Sequence, residues 1–517
     1  MAVKLDTSAT DFLAPAENCI KPVQTKRKAV KVGDPESILD EVALKEAVKV
    51  SLNDCLACSG CVTTAESILV QLQSTEEVYK QLAENKERVS RGEAPHKMVA
   101  SIAPQACASL AAYFRCSVIE AFQKLTWVLQ NRLSVSVVID TVWAQNISLL
   151  ETSREFVANY QKYKAQGATA APMPLLASAC PGWICYAEKT HPEFIPLIST
   201  AKSPQAIVGT VVKQYFAKQW DVPVDSLYHL SLYACYDKKL EASRNDFKIG
   251  ETRETDCVLS SSEILEVLSK EGLEWDDIPL GPINEAAQVY LSREMAHWDA
   301  DSEFEASGGY LEFVMRYAAQ ELFGHSIHGP LQYKQRRNPN WQEVFLELNG
   351  EKVLVFAIAY GFQQIQNVTR QIGGKTKAKC PYHFVEVMAC PSGCLNGGGQ
   401  IKATAQRTTE TNKDLLKRVH SIYQEYLASS RAMDVQRHPL LSLSAPQVPG
   451  DQPACDTTPT PTPITPLSAP TVDDVYQKFI GAEVYSDQAR KLLHTQYHAV
   501  AQTLTTQGVA SPAVNNW

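Results

Sequence analysis

The chain has 517 residues, 45% of them hydrophobic and 21% charged, and a formal net charge of -8. That is enough length and apolar content for about two to four units with real cores, while an acidic balance without a long basic run gives no electrostatic footprint for nucleic acid. The start, MAVKLDTSATDF, has no basic stretch leading into an apolar one, and no run approaches the ~18–20 apolar residues of a membrane span, so the cytoplasm is the expected compartment.

Residues 1–95 are expected to form a first segment that binds a metal cluster. The chain's 14 cysteines do not suit disulfides, because cytosolic thiols are kept reduced and a chain this long needs no covalent staples; spacing has to explain them. Cys55, Cys58 and Cys61 form C-x2-C-x2-C in LNDCLACSGCVTT, with Ser59 and Gly60 supplying a compact turn. Two-residue gaps let one loop curl around a cubane and present three thiolates, as in bacterial-type ferredoxins. Those ferredoxins place a further cysteine where this chain has Ala65, so a fourth thiolate has to come from elsewhere. Cys19, in ENCIKP, is the best candidate, since a loop of that length closes at modest entropic cost. A zinc site or inert thiols are the alternatives, although zinc sites usually pair separated C-x2-C motifs or use His. The charged stretch from Thr75 to Arg91 reads as a solvated helix or connector.

From 96 to 430 the pattern becomes that of an α/β body. Short β-branched runs (Val135 to Ile139, Leu230 to Tyr233, Val353 to Ala359, Phe384 to Met388) alternate with amphipathic stretches such as Gln205 to Gln219 and Tyr310 to Leu322. That alternation predicts largely parallel sheets. Three segments here share one design, an apolar strand that ends in a cysteine and then turns: PLLASACPGWICY with Cys180, HLSLYACYDKKLEASR with Cys235, and FVEVMACPSGCLNGGGQ with Cys390 and Cys394. Ligands collect at the carboxyl ends of strands in α/β sheets, so four such thiolates can converge on one crevice and suit a second 4Fe-4S cluster. Gly397, Gly398 and Gly399 would let backbone approach the inorganic core. Lys238 would offset its negative charge, Lys239 reads as a solvated neighbour, and helix N-termini after Cys180 and Cys394 would add backbone donors.

Residues 431–471 contain TTPTPTPITP and read as a disordered Pro/Thr-rich insert. In the last segment, 472–517, Val472 to Leu504 reads as helical and is followed by a loose tail ending at Trp517, an aromatic terminus that suits a short docking element. Cys107, Cys116, Cys185, Cys257 and Cys380 lack ligand spacing and read as small core hydrophobes, and Cys455 in the insert as incidental. His494 and His498 stand four apart, a spacing that could bind metal on a helix but reads better as packing.

The three cysteine segments, with ISTAKSPQ (198–205), SGGYLE (307–312) and LLHTQYH (492–498), resemble the catalytic domain of iron-only (FeFe) hydrogenases. Together with ENCIKP and SLNDCLACSGC, they make the chain similar above all to the eukaryotic hydrogenase-like proteins of cytosolic iron-sulfur assembly, the nuclear prelamin A recognition factor-like family. The resemblance implies a two-lobed FeFe-hydrogenase-like α/β body behind an N-terminal ferredoxin-like segment, with two 4Fe-4S clusters. It makes Cys180, Cys235, Cys390 and Cys394 the cubane ligands of the crevice, Cys394 being the one that bridges to a two-iron subsite in hydrogenases. It implies a place between an early scaffold of NTPases and a late targeting complex built on a WD40-repeat protein, in the cytoplasm and also the nucleus.

The same resemblance argues against hydrogen chemistry. Hydrogenases place a proton-relaying cysteine directly before the first ligand, where this chain has Ala179, and a methyl group relays nothing. Their relay glutamates map onto Thr152 and Glu155, Ser199 is kept, and Ala234 and Ser392 replace a Pro and a Gly beside two ligands. The competing expectations are a true FeFe hydrogenase-type oxidoreductase and a nuclear lamina-binding protein whose clusters are structural.

Overall fold

The computed structural model describes residues 64–281, 307–335, 338–373, 380–403, 410–432, 472, 474–500, 502–504 and 510–512. Cys19, Cys55, Cys58, Cys61, Cys455, Trp517 and nearly all of the 431–471 insert lie outside them.

Two sheets organise the body. The first has four strands in the order β2-β1-β4-β7: β1 (Lys97–Ile102), β2 (Val137–Asp140), β4 (Leu227–Tyr233) and β7 (Cys257–Ser260). Every pairing in it is parallel, and β2, β4 and β7 are buried along their whole length. That is why these strands read as continuous apolar runs rather than alternating ones: helices cover both faces of the sheet. Between β4 and β7, a two-residue pairing of β5 (Lys248–Ile249) with β6 (Thr252–Arg253) stands apart from the sheet.

The second sheet runs β3-β11-β10-β9-β8, with β3 (Leu175–Ala177), β8 (Lys334–Gln335), β9 (Trp341–Leu348), β10 (Glu351–Tyr360) and β11 (Phe384–Met388). Only β3, β11 and β10 are parallel; β9 is antiparallel to β10, and β8 to β9. The expectation of largely parallel sheets therefore holds for the first sheet and fails for half of the second. The cause is local: Asn349 (φ 54°) and Gly350 (φ 79°) form a two-residue loop with both residues in the left-handed region, the turn that Asn-Gly favours and that matches strand twist.

A 25-residue helix, Val142–Gln166, packs against the helices Tyr310–Phe323 and Pro204–Thr210. Asp140 caps its start by accepting from Val142 N at 2.7 Å. Farther along, Phe156 meets Phe356 of β10 edge-on at 5.0 Å and Phe384 of β11 at 5.8 Å, fixing the helix to the second sheet. The stretch from Thr75 is helical to Ser90. The stretch 205–219 is also helical but winds as α (Pro204–Thr210), π (Val211–Phe216) and α (Ala217–Gln219).

The C-terminal segment differs from its expectation. Among its described residues the helical runs are Asp474–Ile480 and Asp487–Leu493, and from His494 the chain is extended, so His494 and His498 share no helix face. The whole stretch packs back on the body instead: Thr495 N donates to Thr200 O at 2.8 Å, and Val500 N to Glu188 O at 3.1 Å. A further helix, Asn412–Ala432, lies against Pro104–Phe114 and has no counterpart among the sequence expectations. Among the described residues no helix is long and apolar enough to cross a membrane.

Candidate functional site

Each expected crevice cysteine sits just beyond the carboxyl end of a strand or in the turn that follows. Cys180 follows β3 and occupies the N-cap of the helix Pro181–Thr190. Cys235 follows β4 and precedes the helix Asp237–Ala242. Cys390 follows β11, and Cys394 opens a single 3-10 turn, Cys394–Asn396, so the expected helix N-terminus exists after Cys180 but not after Cys394. Since β4 belongs to the first sheet and β3 and β11 to the second, the thiols come from both halves of the body. They line one cavity with about 650 Å³ of empty space, its mouth included, alongside Gln145, Ala179, Lys238, Ser307 and Met388.

The glycine-rich loop after Cys394 is held against the strand end that carries Cys235. A Cβ on Gly397 would lie 2.3 Å from Ala234 O, and one on Gly399 would lie 2.7 Å from Ser260 Cβ. Gly399 N donates to Ala234 O at 3.0 Å. These two glycines thus allow backbone to meet backbone, and Gly397 also lines the cavity, as its expected place beside the core requires. Gly398 serves the thiols directly, through a backbone N–H bonded to Cys390. Ser392, where hydrogenases have glycine by resemblance, sits at φ 60°, a conformation costly for a residue with a Cβ; its N–H bond to Asn340 Oδ1 at 2.7 Å helps hold it there.

Electrostatics make this pocket demanding. Burial, reinforced by Asp237, pushes the Cys180 thiol up to about 12 and raises Cys235 well above its ordinary range; Cys390 rises as far through burial, with Cys180 and then Asp237 adding to it. Cys394 is raised by burial but partly relieved by its hydrogen bond to Ser307 and by Lys238. Four thiols raised in this way, two of them buried and two half-buried, give up their protons only in exchange for strongly positive metal. Among the described residues, no group of three or more His, Cys, Asp or Glu side chains is arranged as a site for a metal ion. The thiols share a cavity without closing on a single centre, and the donors present fit a polynuclear cluster.

Lys238 is buried as expected, donating to Ser203 Oγ at 3.0 Å and Glu241 Oε2 at 2.7 Å. Lys239 is not solvated: it is 2% exposed, bonded to Gln73 O and to Glu263. It was expected to be solvated, but Gln73, just past the helix Thr64–Gln71, closes over it. Cys107, Cys185 and Cys257 are buried, as expected, and Cys116 and Cys380 are half-buried.

At the relay positions, Thr152 Oγ1 donates to Ser148 O at 2.7 Å and is committed to its own helix. Ser199 Oγ donates to Glu155 Oε2 at 2.5 Å, and Thr200 donates to the same carboxylate. Sequence reasoning missed two buried carboxylates. Glu151 is 0% exposed and ties down the C-terminal segment. Glu386, in β11 beside the cage, has no charged residue next to it in sequence, and its only signal there is a carboxylate inside the apolar run FVEVM.

Glu386 makes a measurable prediction. Burial, opposed by the Tyr360 hydroxyl and Leu311 N–H, moves its carboxyl from 4.5 up to about 7. The folded chain therefore holds this proton more tightly than the unfolded one, so the stabilisation is complete below 4.5 and is lost as pH rises through 7. Each pH unit in that window removes about 1.4 kcal/mol. Urea unfolding of the cluster-free chain at pH 5 and pH 7 should show this component in the wild type and not in Glu386→Gln.

Two sheets whose strand ends converge on a cage of cysteines define the iron-only hydrogenase class of fold. Residues 96–398 match the family described as the iron only hydrogenase large subunit, C-terminal domain, and residues 462–500 match the iron hydrogenase small subunit. The Chlamydomonas reinhardtii FeFe-hydrogenase HydA1 superposes with a TM-score of 0.61 at 21% identity, covering 82% of this chain and 98% of that one. Among curated proteins, the chain is 46% identical to the Xenopus tropicalis cytosolic Fe-S cluster assembly factor narfl, over 81% of this chain and 87% of the relative. It is 42% identical to the mouse cytosolic iron-sulfur assembly component 3 (96% and 95%), and 36% identical to the Arabidopsis thaliana protein NAR1 (98% and 97%). The chain belongs to this hydrogenase-like family of cytosolic iron-sulfur assembly factors, whose members are named for assembly and not for hydrogen chemistry.

Proposed function

We propose that this chain works in cytosolic iron-sulfur protein assembly, carrying two 4Fe-4S clusters between an early scaffold and a late targeting complex that delivers clusters to apoproteins. The observation that carries the reading is the shared cavity lined by Cys180, Cys235, Cys390 and Cys394, drawn from both sheets. A cubane held there supplies one-electron storage and a charge that only thiolates can neutralise. The chain's own residues do the rest: Lys238 faces Cys394, Gly398 N–H bonds Cys390, and Ala389 N bonds Cys180 Sγ at 3.5 Å.

The second cluster is assigned to Cys55, Cys58 and Cys61 with Cys19, in an N-terminal unit of about residues 1–95 ahead of a 96–430 body. A cage buried between two sheets shields its contents from water and chelators, so the crevice cluster is the structural one and the N-terminal cluster the one that exchanges. Partners are the WD40-centred targeting complex, with Trp517 a candidate docking residue, and scaffold NTPases, in the cytoplasm and also the nucleus.

Hydrogen chemistry is disfavoured on specific grounds. Ala179 lines the cavity where a proton-relaying thiol would stand, and Thr152 spends its hydroxyl on Ser148 O. The testing experiment is iron and sulfide analysis with Mössbauer spectroscopy on anaerobically purified full-length protein. About eight irons per chain, all in cubane environments, is the expected result. Zinc or an iron-free protein overturns the reading, and infrared bands of iron-bound CO and cyanide would favour a hydrogenase.

A further inference from the structure

Cys394 is joined to a buried carboxyl by two hydroxyls. Its backbone N–H donates to Ser307 Oγ at 2.9 Å, and the same hydroxyl lies within hydrogen-bonding reach of its sulfur. Ser307 also bonds the phenol of Tyr360, whose hydroxyl donates to Glu386 Oε1 at 2.7 Å. The other oxygen of Glu386 accepts from Leu311 N at 2.8 Å, and the side chain is 1% exposed. Two hydroxyls therefore stand between Glu386 and the sulfur.

Each hydroxyl has one proton to give, and this allows the chain two polarities. With Glu386 ionised, Ser307 donates to Tyr360 and Tyr360 donates to the carboxylate, so the sulfur of Cys394 receives nothing from Ser307. With Glu386 protonated, the carboxyl donates to Tyr360, Tyr360 to Ser307, and Ser307 to the Cys394 thiolate. The heavy atoms are the same and every hydrogen bond points the other way. Negative charge on the sulfur favours the second arrangement, and so favours a proton on Glu386.

We propose that Glu386 is a protonation site coupled through Tyr360 and Ser307 to charge at Cys394, binding one proton when the thiolate cage becomes more negative by one electron. This rests on the reading of the crevice as a cluster site. The balance is simple: an external low-potential one-electron donor supplies the electron, solvent supplies the proton, the O–H bond on Glu386 is the only bond formed, and both leave on reoxidation. The other groups facing Glu386 do not supply a competing cation. Glu312, on the helix Tyr310–Phe323, is 2% exposed and pushes the Glu386 carboxyl further up. Tyr310 of that helix and Tyr360 of β10 are both held neutral by burial. Lys238, the cation beside Cys394, is paired with Glu241. Burial places the Glu386 carboxyl at about 7, so the coupling operates in the range where cells work.

The test is an equilibrium reductive titration with dithionite, on anaerobic full-length protein in a Cys58→Ser background so that the crevice is read alone, from pH 6 to 9. Above pH 7 the midpoint potential should fall by about 59 mV per pH unit, the one-electron equivalent of tenfold in proton concentration. It should be flat below that, flat throughout in Glu386→Gln, and less steep in Tyr360→Phe. The infrared difference spectrum on reduction should gain a protonated-carboxyl C=O band that Glu386→Gln lacks. A Cys58→Ser protein without crevice iron would sink the cluster reading itself. A loaded crevice whose potential ignores pH, or whose slope survives in Glu386→Gln, would sink the coupling and leave the cluster reading intact.

Discussion

Replacing Cys390 by serine should cost the anaerobically purified protein about half of its iron, roughly four of eight atoms, with sulfide falling in proportion. The argument starts from burial. Cys390 is 5% exposed, and its thiol is raised well above its ordinary range, chiefly by burial. A serine hydroxyl in the same place is far harder to ionise than a thiol, so the cage would offer three anionic ligands where a cubane needs four. The three remaining thiols would then reprotonate, since Lys238 and Ser307 relieve only Cys394 and do so only in part. Because the cage draws on β4 from one sheet and on β3 and β11 from the other, losing its contents also removes a bridge between them. Whatever binds only the folded chain stabilises it, so the melting temperature should fall with the iron. Cys257→Ser is the matched control: Cys257 is 0% exposed in β7 but outside the cavity, and that variant should keep its full iron content. Full iron in Cys390→Ser would mean that the crevice holds no cluster.

The cage was legible in the sequence because its signal is local. An apolar run, a cysteine and a turn residue fall within a few positions of one another, and three such segments in one α/β pattern have one place to meet. Strand positions were legible for the same reason: Phe384–Met388 is an unbroken apolar run save for Glu386. What escaped was the part of the site whose partners lie far apart in the chain. Lys239 looked solvated beside Lys238, yet Gln73 and Glu263 cover it from 166 and 24 residues away. Glu386 broke an apolar strand without explaining itself, and only the fold brings Tyr360 and Leu311 to its two oxygens. The helix expected through 472–504 failed because apolar spacing alone was followed there. Gly481 at φ 70° and Tyr485 at φ 60° interrupt it, and the stretch gains its order from contacts with the body rather than from its own turns. The antiparallel edge of the second sheet is the opposite case, since Asn349-Gly350 announced a hairpin that the α/β alternation outweighed.

That C-terminal stretch leads to the second large effect: Glu151→Ala should release residues 474–500 from the body. Glu151 stands in the long helix Val142–Gln166, 0% exposed, and all of its capacity is spent on this one segment. Its Oε1 accepts from the Tyr476 hydroxyl at 2.6 Å and from Tyr485 N at 3.1 Å, and its Oε2 meets His494 Nε2 at 2.9 Å. The other ring nitrogen of His494 meets Thr200 Oγ1 at 2.8 Å, and that hydroxyl donates to Glu155 Oε1 at 2.8 Å. The His494 ring is therefore held between Glu151 and a hydroxyl that is itself anchored on Glu155. Alanine at 151 would leave the His494 ring, the Tyr485 N–H and the buried Tyr476 hydroxyl without their shared partner. Each buried polar group left without its partner costs about 1–3 kcal/mol, and three such groups lose theirs here, more than the few backbone bonds at Lys202, Thr495 and Val500 can hold against. Amide hydrogen exchange should show protection lost across 474–500 while β1, β4 and β7 keep theirs. Glu151→Gln should lose less, because an amide still accepts from Tyr476 and can still hydrogen-bond the His494 ring. If 474–500 stays as protected in Glu151→Ala as in the wild type, apolar packing of Val475, Ala489 and Leu493 holds the segment, and the carboxylate is incidental to it.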